Sequence, residues 1–533
     1  MFQANVRSDP SDARFEVSRY LGRWIVIGSL IGVIAGLGAV LFSRAIELAT
    51  RLLLGDLAGY HPPSPIGEGS PVLHAIDRPW ILPLVTALGG LISGIIVFSL
   101  APEAEGHGTD AAIDAIHHRG GKLRARVAPI KLISSAITIG SGGSAGREGP
   151  AAQISATFGS MLSTWLKLSP QDRRIAVAAG MGAGIGAIFR APLGGALMAA
   201  EILYLHDLEV EALVPGLISS IVGYAVYGSI EGWSPIFGSQ PDLAFTNPVT
   251  LIYYAILGVI CGLAGLLYSK SFYGVTSVFH RLKLPPFLKP ALGGLVVGLI
   301  GIKIHGALGT GYGWVQVSMS RDLLTLPLWI VLVLPFAKIL ATSLSIGSGG
   351  SGGIFGPGMV IGGMLGAAFW RLGQDILPQM PHGPAPFVII GMMALFGGIA
   401  HAPLAVMLMV AEMTGNLSLL APAMIAVAIS TALVGNHTIY KSQLPGRADS
   451  PAHRLRLSFP LLSSLFVRDA MQPISTSAIP VDHIPAQPSL APSTPLPDAL
   501  ESLAESGLPR AIVREQNQVV GTISVADAMG TYR

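Results

Sequence analysis

Residues 139–150 read IGSGGSAGREGP, and residues 346–357 read IGSGGSGGIFGP. Nine of the twelve positions are identical at an offset of 207 residues. Each stretch follows an apolar run, is rich in glycine and ends in a Gly-Pro pair. Proline suits the first turn of a helix, where its missing N–H is not needed, and a glycine-rich backbone leaves N–H groups free to face a ligand. The two stretches therefore predict paired glycine-rich turns, each leading into the N-terminus of a helix.

Two further matches extend this pair into an internal repeat. Residues 87–96 (ALGGLISGII) match 291–300 (ALGGLVVGLI) at an offset of 204, and residues 189–201 (FRAPLGGALMAAE) match 400–412 (AHAPLAVMLMVAE) at an offset of 211. Three matches in the same order, at nearly the same offset, indicate two halves of about 200 residues. Glycine-interrupted segments at equivalent places in two halves are the best sequence pointer to a transporter's binding site.

The composition of the 533-residue chain indicates a membrane protein. Hydrophobic residues make up 51% of it and charged residues only 12%, against about 25% charged in soluble globular proteins. This disfavours a disordered chain, a soluble multidomain enzyme and a nucleic-acid binder, and the net charge of +3 implies no polyanionic partner. The single cysteine, Cys261, excludes an intrachain disulfide framework and a cysteine-based metal cluster. We expect no cofactor and no metal site.

Apolar segments long enough to cross or partly cross a bilayer recur along the chain. They lie near residues 24–50, 81–100, 127–140, 175–203, 210–228, 250–275, 288–303, 325–346, 357–372, 386–413 and 417–435. Several are short or broken by glycine, which suits half-helices and re-entrant segments. Basic residues gather before the first segment, in the 118–126 loop and after Tyr440, and the positive-inside rule places these regions in the cytoplasm. We expect a multi-pass protein of the cell (inner) membrane with both termini cytoplasmic.

Glu148 is the informative residue of the first glycine-rich stretch, because a carboxylate at membrane depth is expensive and usually functional. The helix that follows would offer its N-terminal dipole to an anion, and the second repeat would do the same after residues 352–357. Ionised Glu148 would compete with the anion for the same N–H groups, and protonated Glu148 would leave and admit it. This describes a gate coupled to protons. The structural alternative is an ion pair with a nearby arginine, such as Arg190.

These motifs resemble those of the CLC chloride channels and chloride/proton exchangers, over about residues 23–440. The resemblance rests on GREGP at 146–150, GGIFGP at 352–357, the two APL-containing helices and Tyr440. It implies an all-α polytopic homodimer of two inverted-topology repeats (about 23–230 and 245–440) with broken and re-entrant helices, carrying chloride or another small anion. Glu148 would be the external gate. The anion path that the resemblance implies consists of His107, Gly146, Arg147, Glu148, Gly149, Ile354, Phe355 and Tyr440.

One departure concerns the anion. The first anion motif of the family usually reads GSGIP, whereas residues 106–110 read GHGTD. His107 would donate an N–H to the anion and make transport sensitive to pH near 6.5, the free histidine value, or it would turn away from the path. Asp110 would repel an anion, although an acid in the first turn of a helix is ordinarily stabilising. The sequence therefore leaves open which anion is preferred. For Tyr440, the alternative to a contact with the anion is the role of a tyrosine at the membrane interface.

The other departure concerns protons. Alignment through residues 191–193 places Ile202 where many exchangers of the family carry an internal glutamate that passes protons. The protein therefore either conducts anions without tight coupling or uses another group. Nearby candidates are Glu201, Glu209, His206 and Asp207. Because Glu201 has a repeat counterpart in Glu412, a structural role for both is the alternative.

The ends of the chain differ in character from the apolar part. Residues 1–22 are predicted as a cytoplasmic N-terminal segment, 441–496 as a linker and 497–533 as a partial or single CBS-like module. VRDAM at 467–471, a helix over 497–506, strands near 511–514 and 518–524, and a last helix at 525–529 carry this second resemblance. Such modules usually bind adenine nucleotides between paired copies, and only one copy is evident, so nucleotide binding is not expected.

Two rival functions remain beside anion transport. Uptake of another solute is compatible with inverted repeats and broken helices, but the GREGP/GIFGP pair argues against it. An intramembrane enzyme would need a metal set or a nucleophile–base pair, and the apolar segments contain no HExxH or GxSxG motif. We therefore do not expect an enzyme.

Overall fold

The computed structural model describes residues 10–240, 243–453, 465–473, 488–515 and 518–530. The chain divides into two compact units, Met1–Pro445 and Gly446–Arg533. Part of the predicted N-terminal segment and much of the predicted linker lie outside the described residues.

The described part of the first unit is helical and follows the internal repeat. Its first half contains α1 (Pro10–Thr50), α2 (Leu82–Leu100), α3 (Thr109–His118), α4 (Val127–Gly140), α5 (Glu148–Trp165), α6 (Pro170–Phe189), α7 (Pro192–Glu201) and α8 (Leu213–Glu231). Its second half contains α9 (Thr250–Arg281), α10 (Lys289–Gly301), α11 (Tyr312–Met319), α12 (Leu328–Gly347), α13 (Phe355–Gly373), α14 (Ala385–Ile399), α15 (Pro403–Thr414) and α16 (Leu420–Val434). Each helix of the first half thus has a counterpart in the second.

Helix lengths are mixed, as the predicted fold class requires. By length and composition, five helices of the described chain are able to cross a membrane: Leu21–Leu57, Pro79–Leu100, Val210–Glu231, Thr250–Arg281 and Leu328–Gly347. Other apolar helices have only 10–17 residues, less than the roughly 20 that a bilayer core needs. The first unit is therefore an all-α polytopic membrane domain with broken helices, as predicted, and the sheet is confined to the second unit.

Two apolar segments that look continuous in the sequence are each broken into two helices. The segment near 175–203 breaks at Arg190, and the segment near 386–413 breaks at His401. Both residues adopt a positive φ, 54° and 51°, which is uncommon outside glycine. In both cases the next two residues are Ala-Pro, and a residue before proline is disfavoured in helical backbone. The break is therefore encoded in the same way in both halves.

The two halves meet at their glycine-rich stretches. Gly146 and Gly353 exchange both backbone hydrogen bonds, each 2.7 Å long, so the stretches lie antiparallel. Two hydroxyl pairs beside them are related by the same offset of 207 residues. They are Ser144 with Thr342 and Ser135 with Ser351, both at 2.9 Å. The repeat is thus inverted about a centre that both halves build.

The second unit is a small mixed domain with a four-stranded sheet. The strands are β1 (Gln472–Pro473), β2 (Ser489–Leu490), β3 (Arg510–Glu515) and β4 (Gln518–Ser524), in the order β1-β4-β3-β2. Strand β2 is parallel to β3, and the other pairs are antiparallel. The helices are α17 (Val467–Ala470), α18 (Leu496–Ser506) and α19 (Val525–Gly530). The expected helix and two strands are present, while β1 and β2 come from the stretch predicted as linker.

Candidate functional site

The carboxylate of Glu148 lies at the junction of the two halves. Glu148 is the first residue of α5 and is only 1% exposed. Its Oε1 accepts a hydrogen bond from the hydroxyl of Tyr312, and its Oε2 accepts one from the N–H of Gly356 at 3.0 Å. Gly356 lies in the first turn of α13, so a carboxylate from one half sits at the positive end of a helix from the other. The carboxyl group therefore lies at a helix N-terminus, a place that is suited to bind an anion.

The 106–110 loop brings a histidine beside Tyr440. Gly106 and Gly108 have φ values of 72° and 86°, a backbone conformation that residues other than glycine rarely adopt. His107 between them is 6% exposed, and its ring centroid lies 5.4 Å from that of Tyr440. Its Nδ1 has no hydrogen-bond partner among the described residues. Because a buried polar atom without a partner is unfavourable, a ligand at this point would stabilise it.

Close backbone contact joins this loop to the glycine-rich stretches. A Cβ added at Gly149 would lie 3.2 Å from the Cα of Gly353 and closer still to the carbonyl oxygen of His107. Only glycine therefore fits at this position without a shift of backbone. The two glycine-rich stretches and the 106–110 loop, from which the predicted path residues come, therefore meet at one place.

The remaining predicted path residues line the same region. The ring of Phe355 packs on that of Phe396 with centroids 4.2 Å apart, and Phe396 also contacts the ring of Tyr440 at 6.3 Å. The hydroxyl of Tyr268 donates to the carbonyl of Ile354 at 2.9 Å. All five side chains are buried. Aromatic rings thus surround the point where α13 begins, and Tyr440 is enclosed by protein rather than exposed at an interface.

Two buried lysines, related by the repeat, were not anticipated from the sequence. Lys131 of α4 donates to the carbonyls of Ala104 and Gly106, at 3.0 and 2.6 Å. Lys338 of α12 donates to three successive carbonyls, the nearest being that of Gly309 at 2.7 Å. Neither lysine has an exposed surface, and neither forms an ion pair within the part of the chain that the structure describes. The sequence contained a signal for them: both lysines lie inside apolar segments, 207 residues apart, and charged residues within membrane segments are usually functional.

Tyr312 was also missed. Residues 309–313 read GTGYG and are the counterpart, at an offset of 203, of GHGTD at 106–110. Gly309 and Gly311 again have positive φ, 53° and 85°. The loop that holds His107 in the first half therefore has an equivalent in the second half, and that loop supplies the hydroxyl bound to Glu148. Comparison of the two loops would have identified it.

Two charged residues considered beside the site are bound elsewhere. Asp110, expected to repel an anion, accepts the backbone N–H of Ser442 at 2.8 Å, so its carboxylate holds the chain that follows Tyr440. Arg190, the proposed ion-pair partner of Glu148, donates instead to three backbone carbonyls at 2.7–3.0 Å. Glu148 therefore forms no ion pair with Arg190, and its oxygens are bound by groups from the second half.

Glu201 is bound at the start of another helix. Its two carboxylate oxygens accept the N–H groups of Leu404 and Ala405 in the first turn of α15, at 3.2 and 2.7 Å. Glu412 does the same for two N–H groups in the first turn of α7, at 3.0 and 2.8 Å. Helices α7 and α15 thus satisfy each other's unpaired N-terminal donors.

Two features considered for an enzyme, a metal site and a serine nucleophile, were compared with the described residues. No group of three or more His, Cys, Asp or Glu side chains there is arranged to hold a metal ion. Ser144, which has GxSxG spacing at 142–146, pairs with the hydroxyl of Thr342 rather than with a histidine.

The chain is similar to proteins of one family. A family model described as voltage gated chloride channel matches residues 89–435. The H⁺/Cl⁻ exchange transporter ClcA of Yersinia pseudotuberculosis is 30% identical over 420 residues, which is 77% of this chain and 84% of that protein. An uncharacterised protein of Methanocaldococcus jannaschii is 31% identical over 422 residues, 79% of this chain and 95% of that protein.

The fold agrees with these sequence relatives. The crystal structure of a slow cyanobacterial Cl⁻/H⁺ antiporter matches with a TM-score of 0.68 at 24% identity, and the match covers 78% of this chain and 96% of the antiporter. The family model, the relatives and the inverted helical repeat point the same way. The chain therefore belongs to the CLC family of voltage-gated chloride channels, as a multi-pass membrane protein that transports anions.

Proposed function

We propose that the chain carries chloride through a path that Glu148 opens and closes. The observation that supports this most is the place of its carboxylate at the start of α13, bound by the N–H of Gly356. An ionised carboxylate and a chloride ion compete for the same donors. A protonated carboxyl group binds these donors less strongly, leaves them and admits the anion. Chloride flux is therefore expected to rise as the pH falls.

The proposed path uses groups from both halves. Backbone N–H groups near Glu148, Gly149, Ile354 and Phe355 would face the anion, with Gly146 beside them, and His107 and Tyr440 would contact it from the other side. The unpartnered Nδ1 of His107 supports this contact. Arg147 would line the path beside Glu148, and Lys131 and Lys338 would supply positive charge near it without binding the anion directly.

We propose that coupling to protons is loose or absent. The Yersinia pseudotuberculosis relative is named an H⁺/Cl⁻ exchange transporter, but here Ile202 is fully buried and has no group that takes up a proton. Glu201, the nearest candidate, already binds two N–H groups with its two oxygens. A structural role for Glu201 accounts for this arrangement directly.

A coupled antiporter with a substitute proton path is the second candidate. One observation favours it: Glu209 is 5% exposed, and its Oε2 accepts the hydroxyl of Tyr204 at 2.8 Å. These residues follow Ile202 closely in the chain. A buried carboxylate bound to a hydroxyl is chemically able to pass a proton onward.

We further propose that the protein is a homodimer in the cell (inner) membrane with cytoplasmic termini. The basic residues before the first span and after Tyr440 support the orientation. The second unit would then be a single cytoplasmic CBS-like module without bound nucleotide. Cysteine labelling from either side of intact cells, and the mass of the purified protein in detergent, would test these points.

Chloride and proton movements in liposomes with an imposed chloride gradient test the central proposal. Wild-type chloride flux should increase several-fold as the pH falls from neutrality, and Glu148→Gln should give fast flux that no longer depends on pH. Glu47→Gln, which alters an exposed carboxylate, is the control and should behave like the wild type. If Glu148→Gln kept the pH dependence, Glu148 would not be the gate.

The same preparation decides the coupling. Uphill proton pumping at a fixed ratio to chloride would identify an antiporter, and its loss in Glu209→Gln would locate the substitute path. Chloride flux without proton movement would mean that the carrier is uncoupled, with Glu148 acting only as a gate.

A further inference from the structure

A second carboxylate, that of Glu68, forms an ion pair with Arg147, the residue before Glu148. Arg147 is only 7% exposed, and its Nη2 donates to Oε1 of Glu68. Its guanidinium carbon also lies 5.6 Å from the centroid of the Tyr312 ring. Tyr312 in turn donates its hydroxyl to Glu148. The guanidinium therefore lies between Glu68 and the aromatic ring that holds the gate.

Glu68 is presented by a loop, residues 64–70, that is itself held in place. The two ends of the loop are joined by a backbone hydrogen bond of 2.9 Å. The N–H of Ile66 donates to Oε1 of Gln316 in α11 at 3.2 Å, and the next residue donates its N–H to the carbonyl of Ile236 at 2.9 Å. The side chain of Glu68 is 20% exposed. This anchoring fixes the carboxylate against Arg147 and still leaves it in contact with solvent.

The charge beside the gate depends on this pair. Arg147 and Glu68 together have no net charge, whereas Arg147 alone would be an uncompensated cation next to the place where the Glu148 carboxylate binds. Lys338 also acts electrostatically on Glu148, but it has no such acidic partner among the described residues. Because interactions between buried or partly buried charges are weakly screened, the loss of the negative charge of Glu68 should make the electrostatic potential at the anion path more positive.

We propose that Glu68 is a positioning residue of the anion path, which pairs with Arg147 and thereby sets how tightly the path binds anions. This inference rests on the proposed function, since it assumes that an anion binds at the position of the Glu148 carboxylate. With Glu68 in place the positive charge of Arg147 is compensated, the affinity for chloride stays moderate, and a bound anion leaves readily.

Calorimetric titration of sodium chloride into the purified full-length protein in detergent measures this affinity at a fixed pH. In a Glu148→Gln background, where no gate carboxylate competes with the anion, Glu68→Gln keeps the size of the side chain and removes its charge, so chloride should bind on the order of ten-fold more tightly, the effect of one nearby unit charge at intermediate dielectric constant. In liposomes the same variant should show a lower half-saturating chloride concentration and a lower maximal flux.

Two variants in the same background serve as controls. Glu68→Asp keeps the charge and should bind chloride as Glu148→Gln alone does. Asp77→Asn removes one negative charge from an exposed position on the same connecting segment and should also leave the affinity unchanged. An equal gain in Asp77→Asn would show that net charge alone is responsible, and the proposal would fail.

An unchanged chloride affinity in folded Glu68→Gln would overturn the inference. If that variant cannot be purified in a folded form, Gln316→Leu removes the tether of the loop and leaves every charge in place. It should raise the affinity by a smaller factor, and no rise there would count equally against Glu68. The gate itself is judged by the pH dependence of Glu148→Gln, so the two proposals fail separately.

Discussion

Replacing Glu201 by glutamine tests whether its carboxylate serves structure or proton transfer. An amide has one acceptor oxygen, so Glu201→Gln satisfies only one of the two N–H groups of Leu404 and Ala405. The orphaned donor should lower the stability by about 1–3 kcal/mol. The lost negative charge at the start of α15 should add about 0.3–1 kcal/mol. The expected total is roughly 1.3–4 kcal/mol.

The inverted repeat provides the matched control. Glu412→Gln makes the same chemical change at the start of α7, where the carboxylate also accepts two N–H groups. If both glutamates are structural, both variants should lose a similar amount of stability. Unfolding by sodium dodecyl sulfate in mixed micelles, followed by tryptophan fluorescence, measures this loss.

Ion flux supplies the second measurement for the same two variants. The structural account predicts that neither variant changes the ratio of protons to chloride ions moved. A Glu201→Gln protein that unfolds like the wild type but moves fewer protons per chloride would refute the capping argument. A change of ratio confined to Glu201→Gln, with both proteins destabilised, would show that capping is not its whole role.

Three other perturbations have expected outcomes. His107→Ser should change the preference between chloride and nitrate in liposome flux, because the unpartnered Nδ1 is lost; an unchanged preference would mean that the imidazole does not face the anion. Tyr312→Phe removes a donor to Glu148, so chloride flux at neutral pH should rise, and equal flux would contradict this. In the second unit, partial burial raises the pKa of Asp527, but hydrogen bonds from Ser524 outweigh it and leave the pKa below its ordinary value. The stabilisation of the α19 start is therefore present at neutral pH and lost as the pH falls through that lowered value. Hydrogen-exchange protection factors, which remove the pH dependence of the intrinsic exchange rate, should fall between pH 6 and lower pH in the wild type but not in Asp527→Asn.

The sequence predicted the central feature of the fold because that feature is local and occurs twice. Nine identical positions in two glycine-rich stretches require the same backbone, and a Gly-Pro pair before an apolar run predicts a helix start. The place of Glu148 at such a start followed directly. The sequence indicated that helix starts would lie near this carboxylate, but not that α13 would be the helix that binds it, because Gly356 lies 208 residues away.

Other features depended on contacts that no local pattern contains. Hydropathy alone joined α6 to α7, because the residues on both sides of Arg190 are apolar; the Ala-Pro pair after Arg190 favours a break there but does not fix the left-handed turn that the backbone adopts. Asp110 was expected to face the anion from its position in a first turn, but its partner, Ser442, is 332 residues further along. Pairings over such distances are decided by packing rather than by propensity.

The exchange of hydrogen bonds between Gly146 and Gly353 has a consequence for biosynthesis. The second glycine leaves the ribosome 207 residues after the first, a delay of roughly 10 to 40 seconds at about 5–20 residues per second. During that interval the first half is in the membrane with the backbone of its glycine-rich turn unpaired, which is unfavourable in a medium without water. The nascent chain must therefore keep this turn hydrated or shielded until the second half arrives. A truncated product that ends before residue 346 would keep these polar groups exposed and be a substrate for membrane quality-control proteases.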